Sequence, residues 1–287
     1  MRSDLLKVIG RAVSAALIAC NICLLIPAHG IFSQTSQTAQ TGEPPAVNAE
    51  SGEQYEKGIR LFSEGKYSES FSFFQTAYEL DTSNIAACFA MGLSRYRDKK
   101  FSDAAEYFKR VLDMNPGHIK ALRTYPTALF NAGEFEQTAA AYDMAIAKEP
   151  ENDALFIGKA RTLAKLNRHE DALPFFQKAL KLSPADINYK YLYTQTLAET
   201  GKLKEASNLA LEILTADPAH ARARIITADY LRMTGNLEDA LAHYKTAAQD
   251  PATRKYATFY IGEIGFELEE REIEREWEKS RKLPGKE

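Results

Sequence analysis

The sequence predicts an all-α solenoid of stacked helix hairpins, and three observations carry that prediction. Small residues recur at Ser70, Ala104, Thr138, Ala172, Ala206 and Ala240, a constant spacing of 34 without insertion. Aromatic residues follow four positions later at Phe74, Phe108, Tyr142, Phe176 and Tyr244. Proline closes four of the units, at Pro116, Pro150, Pro184 and Pro218. A fixed period of about 20–50 residues marks an array whose units hide their apolar faces only by stacking on their neighbours.

In register the units are 51–84, 85–118, 119–152, 153–186, 187–220 and 221–254, six of equal length with nothing between them. Each holds two apolar-periodic segments of about 12 to 14 residues, the spacing of an amphipathic helix pair. Gly65, Lys99, Gly133, Asn167, Gly201 or Gly235 stands in the turn between them. Glycine and asparagine tolerate the left-handed backbone that ends a helix, so Lys99 is expected to carry strain there. Pro126 falls inside a first helix, where proline removes one hydrogen bond and clashes with the carbonyl of Leu122, so a kink or a late helix start is expected near Tyr125. Pro174 is expected to be milder, near the first turn of its helix. Unit five replaces the ring by Ala210 and carries Lys190 and Thr194 in its first helix, which predicts weaker packing.

Composition fits a folded protein, with 45% hydrophobic and 26% charged residues. The net charge is −3, and −5 once the segment 1–30 is left out, which gives no basic footprint for nucleic acid. That segment reads as an export signal: Arg2, Lys7 and Arg11 precede the apolar run from Ala12 to Ile26, and small residues follow at Ala28 and Gly30. Leu17-Ile18-Ala19-Cys20 resembles the lipobox of bacterial lipoproteins, which would make Cys20 an acylated residue; cleavage near Gly30, acylation at Cys20 and an uncleaved anchor all stay open. The segment 31–50 is a polar stretch with too little apolar surface to fold, read as a tether. Cys20 and Cys23 lie within the apolar run, leaving Cys88 as the remaining cysteine, so no internal disulfide is expected.

With its small and aromatic columns in phase, the array resembles the tetratricopeptide repeat family over about 70% of the chain. Gly58 and Gly92 stand where that family places its first-helix glycine, and Ala77, Val111, Ala145, Ala179, Ile213 and Ala247 match its second-helix seam. The resemblance implies a right-handed superhelical solenoid with a C-terminal capping helix, here the charged segment 255–287. Within that segment Tyr256, Phe259, Ile261 and Gly262 keep a first-helix start, and Phe266, Ile273 and Trp277 share one face. That face is expected to cover the last repeat or to dock a partner or a second copy.

The same resemblance places ligand contacts on the exposed positions of the first helices, lining a concave groove. Carried over, these are Tyr55 and Phe62, then Phe89, Tyr96 and Arg97, then Arg123, Phe130 and Asn131, and finally Arg161, Lys165 and Tyr191. Asp229 and Arg232 extend the lining in unit six. Aromatic and arginine side chains suit interface hot spots, and the basic middle suits an acidic group on a peptide or protein partner. The family's two-carboxylate clamp is missing, since Tyr55, Ile59 and Ala90 stand in its places and Thr124 replaces its arginine.

No catalytic pattern accompanies the repeats. His118, His169, His220 and His243 fall in different units without ligand spacing, and read as isolated surface residues; no metal site and no cofactor is expected. The expected function is therefore a non-catalytic protein-binding scaffold of the cell envelope, periplasmic or anchored facing outward. An envelope-assembly lipoprotein resembling the pilotin and outer-membrane-assembly types is the alternative within that class. A carrier holding a small apolar ligand near Phe62, Phe89 and Tyr96 is the alternative outside it.

Overall fold

A computed structural model describes residues 49–282 of the chain. The export segment, Cys20 and most of the tether lie outside the described residues.

The described residues are helical throughout, apart from short turns. The chain divides into two units, one up to Lys148 and one from Glu149. The first holds α1 (Ala49–Ser63), α2 (Tyr67–Leu80), α3 (Ile85–Arg97), α4 (Phe101–Met114), α5 (Ile119–Ala132) and α6 (Phe135–Lys148). The second holds α7 (Asp153–Lys165), α8 (His169–Leu182), α9 (Ile187–Glu199), α10 (Leu203–Ala216), α11 (Ala221–Met233), α12 (Leu237–Ala247) and α13 (Arg254–Lys282). Inside each unit every helix packs on the next, so the core is a row of inter-helix layers with no central cavity to fill.

The periodic columns are these layers. All six small residues from Ser70 to Ala240 are fully buried, as are the seam residues from Ala77 to Ala247. Their partners are the rings: Phe74 and Phe108 have no exposed surface. A β-carbon at Gly58 would lie 2.5 Å from the Phe74 ring, and one at Gly92 would lie 2.6 Å from that of Phe108. Glycine is required there by close approach rather than by backbone conformation. Unit five lacks the ring, with buried Thr194 and buried Ala210 in the positions that Gly92 and Phe108 hold in unit two.

The ends of the helices follow equally local rules. Asn84 and Asp186 precede α3 and α9 and accept hydrogen bonds from the N–H groups of Ala87 and Tyr189. His118 and His220 occupy the same column before α5 and α11, and their Nδ1 atoms accept from Ala121 and Ala223, each at 3.1 Å. These histidines cap helices, which the reading of them as isolated surface residues missed. The turns adopt positive φ at Gly65, Gly133, Gly201 and Gly235, and also at Lys99 (61°) and Asn167 (57°). Pro126 delays nothing, because α5 begins at Ile119 and runs through it. Pro174 is the sixth residue of α8, beyond the free N–H groups of the first turn, so it forfeits a bond to the Glu170 carbonyl that the sequence reading had not counted.

First helices start at Ile85, Ile119, Asp153, Ile187 and Ala221, a full period apart, but α13 starts at Arg254, one position early. The columns nonetheless stay in phase: Ala257 is buried one period after Ala223 and Ile264 two periods after Thr196, whereas nothing approaches within 4 Å of a β-carbon at Gly262, because no second helix follows α13 among the described residues.

Two substitutions test this account. Gly92→Ala gains about 1 kcal/mol of helix propensity but forces a buried ring aside at a cost of about 1–3 kcal/mol, so thermal unfolding should move down, and Phe108→Leu in the same chain should recover part of the loss. Lys99→Gly relieves a left-handed lysine and should raise stability by about 1 kcal/mol in a denaturant titration.

Candidate functional site

The first helices carry the residues expected to face a ligand, and within each unit they divide by depth. In the N-terminal unit Phe62 and Phe89 are only 7% and 8% exposed. Phe62 meets Tyr67 edge-on at 5.1 Å, and Phe89 lies against Phe108 and the capping His118. Tyr55, half-buried, leans on Phe74. Tyr96 on Phe101 and Phe130 on Phe135 repeat the Phe62–Tyr67 contact one and two periods later. An aromatic at the end of each first helix thus braces the start of its own second helix in these three hairpins. The signal was in the sequence, as a second aromatic column five positions after the first.

What remains at the surface is more polar. Arg123 and Asn131 on α5 are exposed, and Arg97 on α3 is half-buried. Asn131 donates its side-chain N–H to the Tyr96 hydroxyl at 2.8 Å, which joins α3 to α5 and brings two of the expected site residues together. On the same unit Arg95 stacks over Phe71 at 3.5 Å, and Phe71 meets Tyr107. Cys88 is fully buried, and burial pushes its thiol up to about 11, which leaves it an inert core residue.

In the C-terminal unit Arg161 and Lys165 sit one turn apart on α7, the first half-buried and the second exposed. Tyr191 on α9 lies against the capping His220 at 5.0 Å, the counterpart of the Phe89–His118 contact. Burial lowers the pKa of His118, consistent with a neutral ring whose Nδ1 accepts a hydrogen bond.

Asp229 and Arg232, expected on the ligand face, have partners within the unit. The Tyr244 and Tyr256 hydroxyls both donate to the Asp229 carboxylate, tying α11 to α12 and α13. The Arg232 guanidinium lies 4.4 Å over Tyr260, whose ring stacks on Tyr244. Burial pushes the Asp229 carboxyl up to about 6, against the pull of the two hydroxyls and Arg232.

Tetratricopeptide repeat family profiles match residues 127–187 and 163–230. The chain is a tetratricopeptide repeat protein. A Dictyostelium discoideum protein described as an STIP1 homolog is 34% identical over 116 residues, which is 39% of this chain and 18% of that one. The match therefore spans less than a fifth of that relative's length. Among solved structures, a tetratricopeptide repeat protein from Parabacteroides merdae superposes with a TM-score of 0.59 at 15% identity, over 78% of this chain and 93% of that one. YrrB, described as having an unusual peptide-binding site, gives 0.57 at 20% identity, over 65% and 96%. At these identities the structures establish the fold.

The Asp229 cluster makes a pH prediction. Its folded pKa is raised above 3.8, so folding favours the protonated form; that stability is complete below about pH 4 and is lost as pH rises through about 6. Compared with Asp229→Asn, the natural protein should lose on the order of 2–3 kcal/mol between pH 4 and pH 7, read as the difference between their unfolding curves.

Proposed function

We propose that this tetratricopeptide protein is a non-catalytic scaffold of the cell envelope that holds a protein or peptide partner on its first-helix faces. The observation that carries the reading is a division of labour. The small, ring and seam columns fixed by the repeat are buried, while Arg123, Asn131 and Lys165, which the repeat leaves free to vary, reach the surface from first helices. Arg161 and Lys165 at four-residue spacing share one face of α7 and suit an acidic group on the partner. The apolar stretch with its basic start in the segment 1–30 supports the envelope location. The reading as a small-ligand carrier is weakened because Phe62 and Phe89, two of its three residues, are engaged in packing between helices.

Affinity capture from the envelope of the source cell tests the proposal. The Arg161→Glu/Lys165→Glu variant should lose its principal partner while its melting temperature stays unchanged. Undiminished capture by that variant overturns the assignment of the basic face.

A further inference from the structure

The long α13 ends in a surface that its own unit does not cover. Phe259, Phe266, Ile273 and Trp277 are 61%, 65%, 68% and 57% exposed. At about 3.6 residues per turn they fall within a narrow stripe, since 259, 266 and 273 are two turns apart and 277 is one turn further. The expectation that this face covers the last repeat does not hold. Ile264 and Ala257, on the opposite side of the helix, make the packed contact instead.

The borders of the stripe say what fits it. Projected on the same helix, Glu270, Glu263 and Glu274 flank one side and Glu269 and Glu276 the other, whereas Arg271, Arg275 and Lys279 fall on the far face. Arg271 and Lys279 bond to Glu267 and Glu276. Glu263, Glu269, Glu270 and Glu274 have no hydrogen-bond or ion-pair partner among the described residues. The cations beside the stripe among the described residues lie at its two ends, Lys255 one turn before Phe259 and Arg281 stacked on Trp277 at 4.2 Å.

We propose that this acid-bordered apolar stripe of α13 is a docking site for a basic amphipathic helix, whose apolar ridge lies along Phe259 to Trp277 and whose lysines or arginines pair with the flanking glutamates. Both borders are acidic, so a second copy of α13 meets like charge in either orientation, parallel or antiparallel. An anionic membrane surface is repelled for the same reason. The site is separate from the first-helix faces, and either assignment stands if the other fails.

Trp277 is the only tryptophan in the chain and sits in the stripe, so its fluorescence reports occupancy directly. The probes are two synthetic helical peptides spanning the length of the stripe, one of leucine and lysine and one of leucine and glutamate with the same leucine positions. Titrated into the full chain, the lysine peptide should blue-shift Trp277 saturably and weaken about tenfold or more at high salt, while the glutamate peptide leaves the emission unmoved. Glu269→Lys/Glu270→Lys/Glu274→Lys should reverse the preference, and Arg161→Glu/Lys165→Glu should leave lysine-peptide binding as it was. All three glutamates are exposed, so circular dichroism should show the triple variant folded; if it is not, Ile273→Ser serves, and should abolish the shift. Equal shifts with both peptides, no shift with the lysine peptide, or a dimer in light scattering whose Trp277 is already blue-shifted overturns the proposal.

Discussion

A small residue on one helix pressed against an aromatic ring on the next is the contact on which the structure depends. At Gly58 and Gly92 the ring comes so near that a β-carbon would collide with it, so the two helices of a hairpin approach until the ring fills the gap. Interiors pack at crystal density, and such a gap admits only certain total volumes. The chain fills these two columns in more than one way: glycine, alanine or Pro126 in the column facing a ring, and buried Thr194 with buried Ala210 in unit five. Because each hairpin solves the problem locally, a departure in one unit does not disturb the phase of the rest.

The same rule explains which residues are available to a partner. A ring at the end of a first helix looks like a ligand-facing residue in a periodic alignment, yet Phe62, Tyr96 and Phe130 each rest on the first residue of the following helix. Phe62 is buried against its own hairpin and Tyr96 and Phe130 are half-buried there, and in the case of Tyr96 the hydroxyl receives a hydrogen bond from Asn131. The surface left over is defined by charge and amide groups, which makes recognition on these faces a matter of directional polar contacts set on a rigid apolar base.

At the C-terminal end no second helix follows α13 among the described residues, and the consequences are concentrated there. Asp229 is drawn into a cluster of Tyr244, Tyr256 and Tyr260 with Arg232, which fixes the first turns of α13 and couples its docking to protonation. Past Leu268 the helix leaves its support and every described side chain is exposed, so its apolar stripe and glutamate borders face solvent together.

The sequence by itself determined the all-α class, the hairpin unit, the phase of the buried columns and the left-handed turns, including the one at Lys99. These are legible because they rest on interactions between residues at fixed spacing, repeated often enough for the pattern to exceed chance. The tertiary structure decided the rest. Which first-helix residues are surface and which are core depends on contacts made well beyond the helix itself, such as Phe89 on His118. Capping by His118 and His220 was invisible because histidine is an uncommon cap and only the position of Nδ1 over the helix start reveals it. The exposure of Phe266, Ile273 and Trp277 follows from α13 running on past the helix it packs against, and a period read from the preceding units cannot show where that support ends.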